Sequence, residues 1–159
     1  WTVHGHRESN NRHDTHPDAV SVWLRRRTPA AGSYLSTRYR GCGTAAIAVL
    51  AGTESHADYG RLANALEAAT EFAETDGDEV KLIFDGAGVQ WVPELEDPDS
   101  DYNDLYNDVR EHAAVCDFCA SAFHVEDAVD DSGLTTLAEY DGHPSIRDLV
   151  ADDYEIITF

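Results

Sequence analysis

Apolar runs and amphipathic segments alternate along residues 44–159, and this alternation predicts an α/β fold: a mainly parallel, five-stranded sheet layered between helices. Three observations carry the prediction. Ala45-Ala46-Ile47-Ala48-Val49-Leu50-Ala51 is a continuous apolar run, as expected of a strand buried on both faces. Leu62, Ala65, Leu66, Ala69, Phe72 and Ala73 then recur at helical spacing within residues 57–75. A second apolar run, Val80 to Phe84, restarts the pattern.

The remaining elements follow in order. Gly52 to Ser55 is a loop, and Asp76-Gly77-Asp78 is the turn that ends the first helix. After the second strand comes Asp85-Gly86-Ala87-Gly88. Residues 89–96 read as a short helix around Trp91 and Leu95, with Pro93 in its first turn. Residues 101–110 read as another helix, with Leu105, Tyr106 and Val109 on its apolar side. Residues 112–115 form a short third strand. A helix starts at or just after Cys116, breaks near His124 and resumes over residues 126–130. Residues 134–140 hold a fourth short strand. Pro144 opens a last helix running to Ala151, and residues 154–159 are the final strand. In parallel sheets, chemistry gathers at the carboxyl ends of strands. The loops at 52–56, 85–88 and 116 are expected to converge there.

Charge divides the chain. Residues 1–43 carry seven arginines against three acids, a net of +4, whereas residues 44–159 carry four basic residues against 28 acids, a net of −24. A domain this acidic repels nucleic acid and anionic membranes. Its acids are spread over residues 54–155, which fits a surface adapted to concentrated salt. No run is long enough to span a membrane. Residues 1–43 show no sustained period and are expected to be a disordered or non-native N-terminal extension ahead of a domain at 44–159. The tail's His4, His6, His13 and His16 have no acidic or thiol partner at fixed spacing, so no metal site is expected there.

Three cysteines do not make a secreted disulfide framework and point to a reducing, cytoplasmic setting. Cys42, in a Gly-Cys-Gly stretch, looks incidental. Cys116-Asp117-Phe118-Cys119 is the chemical feature. A thiol where a strand hands over to a helix meets free backbone N–H groups that favour a thiolate, the attacking form. The surrounding acids oppose this, so His112, Arg110 or His124 is expected to help outweigh them. Cys119, three residues on, faces the same side. It can resolve a sulfenate, persulfide or mixed disulfide on Cys116, or simply pack against Phe123. Zinc needs two further ligands, and no second C-x-x-C or H-x-x-x-H occurs in the domain, so neither metal nor cofactor is expected. Asp85, Trp91, His112, His124 and His143 are candidate residues around the thiols, with packing, capping or surface positions as their alternatives.

Residues 44–159 resemble the DsrE/DsrF-like family. The stretches that carry the resemblance are 45–52, 62–67, Glu79 to Gly86, Val115 to Phe123, and Glu139 to Ile146. The resemblance implies a three-layer, flavodoxin-like fold and homo-oligomers, commonly trimers or hexamers, or hetero-oligomers with related subunits. It also implies sulfur donor and acceptor partners and a persulfide-carrying cysteine at the position of Cys116. Cys119 is an added thiol that departs from the relay pattern. The expected function is that of a haloarchaeal-type sulfur-relay or sulfurtransferase-type protein. A dithiol redox protein using Cys116 and Cys119, and a non-catalytic oligomeric binding or scaffold protein, are the alternatives.

Overall fold

The structure, a computed structural model, describes residues 42–159. The expectations for residues 1–41, including disorder and the four tail histidines, lie outside the described residues. Gly43 belongs to the domain: its N–H donates to Asp78 Oδ1 at 2.7 Å, and its carbonyl accepts from Glu79 N–H.

Five strands form one all-parallel sheet: β1 (Thr44–Val49), β2 (Glu79–Phe84), β3 (Ala113–Cys116), β4 (Thr135–Leu137) and β5 (Glu155–Thr158), in the order β4-β3-β2-β1-β5. The helices are α1 (His56–Ala73), α2 (Val92–Leu95), α3 (Asn103–Asn107), α4 (Asp117–Ala122), α5 (Glu126–Ser132) and α6 (Ile146–Ala151). Strand order explains the layering. The connections β1→β2→β3→β4 all step the same way, so right-handed crossovers put α1 to α5 on one face. The step from β4 back to β5 runs the other way and puts α6 on the opposite face. The sheet is therefore unequally covered. Ile47, Val49, Leu82, Phe84 and Val115 enter a large core with α1, while Ala46 and Ile83 meet a small cluster with Leu149 and Tyr154.

Several elements differ in detail from the sequence reading. Residues 86–91 form a 3-10 segment that runs into the four-residue α2, and Pro93 sits in its first turn. The helix expected over 101–110 is only α3, followed by a 3-10 turn at Arg110–His112. Pro144 lies outside the last helix: Ser145 caps it, its hydroxyl accepting from Asp148 N–H at 3.2 Å. The break near His124 is real. His124 has φ 59° and separates α4 from α5.

Candidate thiol site at the carboxyl ends of β2 and β3

Cys116 is the last residue of β3 and the N-cap of α4, and it is fully buried. Its Sγ accepts from the Cys119 N–H at 3.4 Å. Cys119, one helical turn on, is also buried. Its Sγ–H donates to Asp85 Oδ1 at 3.2 Å.

Asp85 follows β2 directly. Its N–H donates to the Val49 carbonyl at 3.0 Å, and its Oδ1 also accepts from Gly86 N–H at 2.8 Å. The chain then turns tightly over the end of β1. A Cβ on Gly88 would lie 1.9 Å from the Val49 carbonyl oxygen, so glycine is required for that approach.

His143 arrives from far along the chain. Tyr140 and His143 exchange both backbone hydrogen bonds at 2.9 Å, closing a two-residue turn. Asp141 (φ 53°) and Gly142 (φ 84°) both have positive φ, as a type I′ turn requires. The Gly142 carbonyl accepts from Phe118 N–H at 2.8 Å, which pins the turn to the start of α4. The Phe118 ring packs on the imidazole with centroids 4.6 Å apart. His143 Nδ1 then lies 3.3 Å from Cys116 Sγ and 4.0 Å from Cys119 Sγ. The donor atoms of Asp85, Cys116, Cys119 and His143 all fall within 4.8 Å of one another. This is a set of residues able to hold a metal ion.

Burial pushes the Cys116 thiol well up from its ordinary range; its backbone hydrogen bond from Cys119 opposes this, while Asp85 adds to it. Burial likewise raises Cys119, again with Asp85 contributing. The expectation of a lowered thiol is thus reversed. The six-residue α4 and one long N–H···S bond do not offset desolvation beside a carboxylate. The basic groups expected to help are elsewhere. Arg110 pairs with Glu96, Nε to Oε1 at 2.9 Å, and donates to the Ser132 carbonyl. His112 precedes β3 at its opposite end, beside Glu111, and lines a 510 Å³ groove on the less covered face of the sheet. His124 is exposed just past the far end of α4.

Of the candidate residues, the structure therefore brings Asp85 and His143 to the thiols. It does not bring His112 or His124, while Trp91 shares the large core with both cysteines. Trp91 is fully buried; its Nε1–H donates to the Ala51 carbonyl at 2.8 Å, and Tyr59 packs edge-on at 4.9 Å. The loop at 52–56 is a neighbour of this 3-10 segment, since a Cβ on Gly52 would meet Gln90 and Ala87. Phe118 and the Asp141-Gly142 turn were not among the candidate site residues, although the Asp-Gly pair itself is a turn signal.

The fold and site define a small parallel α/β domain with a buried thiol at the carboxyl edge of its sheet. The chain belongs to the DsrE/DsrF-like family, a family of the sulfur-relay type, which matches residues 45–159. An uncharacterized protein of Methanocaldococcus jannaschii is 31% identical over 81 residues, covering 51% of this chain and 66% of that protein. A conserved protein of unknown function from Bacteroides thetaiotaomicron is similar in structure at 16% identity and a TM-score of 0.48. That match covers 72% of this chain and 94% of the other. Among the described residues, no helix is long and apolar enough to cross a membrane.

Proposed function

We propose that this protein carries sulfane sulfur as a persulfide on Cys116. The observation that supports this most is the Cys116 Sγ to His143 Nδ1 distance of 3.3 Å. A buried thiol with a raised pKa is a poor nucleophile until a base takes its proton, and a neutral imidazole at hydrogen-bond range is such a base. Cys116 Sγ gives its proton to His143 Nδ1 and attacks the outer sulfur of a donor persulfide, R–S–SH. The Cys116–sulfur bond forms, the donor S–S bond breaks, and R–S⁻ leaves and takes up a proton. The products are R–SH and Cys116–S–SH. An acceptor thiolate attacks the outer sulfur and regenerates Cys116.

Cys119 offers a second exit. Its thiolate attacks Cys116 Sγ, forming a Cys116–Cys119 disulfide and releasing hydrogen sulfide. The two thiols are oxidised by two electrons and the sulfane sulfur is reduced. Incubation with a persulfide donor, followed by intact-mass measurement, tests the carrier role. Wild type gains one sulfur atom and Cys116→Ser gains none; equal gain by the two proteins contradicts the reading. A dithiol redox role is the second reading, favoured by the two sulfurs lying within 4.8 Å. Its mark is a reversible Cys116–Cys119 disulfide that forms without any persulfide donor, read by redox titration and alkylation.

A further inference from the structure

The four side chains around Cys116 do more than surround a nucleophile. We infer that Asp85, Cys116, Cys119 and His143 form a binding site for a thiophilic divalent cation, of which Zn²⁺ is the best match. The donor set is two thiols, one imidazole and one carboxylate, which are the ligand types zinc takes in four-coordinate sites. A tetrahedral zinc centre, with bonds of roughly 2.0–2.3 Å, places its donor atoms about 3.3–3.8 Å apart. Here the distances are 3.3 Å (Cys116 Sγ to His143 Nδ1), 4.0 Å (Cys119 Sγ to His143 Nδ1) and 3.2 Å (Cys119 Sγ to Asp85 Oδ1). The other pairs lie within 4.8 Å, so side-chain movements of up to about 1 Å complete the shell.

The four ligands come from three separately anchored pieces of backbone, so little ordering is left for binding to impose. Asp85 is held at the end of β2 by the Val49 carbonyl, the two cysteines by β3 and α4, and His143 by the Tyr140–His143 turn under Phe118. Both thiols are buried, while Asp85 and His143 are half-exposed and leave a side for entry. A net charge of −20 favours a cation at any such opening.

Binding replaces the Cys119 Sγ–H···Oδ1 hydrogen bond with two sulfur–metal bonds. The two thiol protons pass to solvent, His143 ligates through the Nδ1 lone pair, and no electrons are transferred. The ion neutralises the charge that burial otherwise penalises. It also occupies Cys116, so the metal-bound form cannot take up sulfane sulfur. The metal site itself does not depend on the sulfur-carrier reading.

The test uses the full chain, fully reduced, and titrates it with Co²⁺ and then Zn²⁺. Histidines elsewhere in the sequence can bind either ion but cannot give a thiolate signal. The expected result is one equivalent of Co²⁺ showing sulfur-to-cobalt charge-transfer and tetrahedral ligand-field bands, displaced by Zn²⁺. Zn²⁺ should also shield two of the three thiols from alkylation, leaving Cys42 reactive. His143→Ala and Asp85→Asn should each weaken Zn²⁺ binding by at least about tenfold. Absence of thiolate bands at stoichiometric Co²⁺ overturns the inference. So does Zn²⁺ binding that His143→Ala and Asp85→Asn leave unchanged. If a variant fails to fold, the wild-type bands and the thiol protection decide alone. Sulfur loading of the metal-free protein is a separate readout, so failure of one claim leaves the other standing.

Discussion

Two corners of the domain are joined by one stretch of chain, and they are built on opposite principles. At its start, Asp85 stands in a cluster with an imidazole and two thiols, and burial disfavours the charged form of both thiols. At its end, Trp91 packs against Tyr59, which meets Tyr102, and in the same core Phe84 packs against Tyr106; the Trp91 N–H and the Tyr106 hydroxyl are both hydrogen-bonded. Glu96 latches that second corner. Its carboxylate accepts from Tyr106 Oη–H at 2.8 Å and from Arg110, which also holds the end of α5 at Ser132. The aromatic corner is a packing device. In the proposed function, the thiol corner keeps an unionised Cys116 next to the imidazole that would take its proton, which makes it a chemical device. Substitutions should therefore separate function from stability.

The sharpest separation is expected at His143. His143→Ala should slow sulfur loading by about 10²–10⁴-fold while leaving the thermal transition within a few degrees of wild type, checked by donor kinetics and calorimetry. A parallel loss of stability would make His143 a structural residue. Trp91→Ala should do the reverse. The cavity should cost about 3–5 kcal/mol in denaturant unfolding, while the folded fraction still loads sulfur.

These two residues also show what the sequence made legible. Helical spacing along 62–73 and the runs at 45–51 and 80–84 report burial directly, so the sheet and α1 were readable. Cys116 was readable too, because a strand end followed by helical composition is a local pattern. His143 lies 27 residues from Cys116, and Asp85 lies 34 from Cys119. Nothing local ties them together: the parallel register of β2 and β3 brings Asp85 to the thiols, and the Tyr140–His143 turn, pinned by Phe118 N–H to the Gly142 carbonyl, brings His143. The raised thiol pKa was misread for a related reason. Sequence shows a helix start but not the depth of the sulfur below the surface. The uneven cover of the sheet follows from the return of β5 to the far side of β1, a pairing that composition does not encode.

Smaller effects sharpen the same contrast. Glu96→Gln should cost about 1–2 kcal/mol, discounted because the ion pair is partly exposed, and should leave loading kinetics unchanged. Alkaline pH should probe the tyrosines. Burial raises Tyr106, and raises Tyr154 to about 12, where its hydroxyl donates to Glu79. The folded state then holds protons that the unfolded state has lost. Stability should be intact below about pH 10 and should fall as pH rises towards 12. Denaturant midpoints measured across that range check this, and Tyr106→Phe with Tyr154→Phe should flatten the fall.

The central claim is that Cys116, and not Cys119 or Cys42, holds the sulfur. It is tested most directly by loading the metal-free protein with a persulfide donor, alkylating it and mapping the added sulfur by peptide mass. The account predicts the extra sulfur on the Cys116 peptide in wild type and in Cys119→Ser, and on no peptide in Cys116→Ser. Sulfur found on Cys119 or Cys42 with Cys116 unmodified would contradict it.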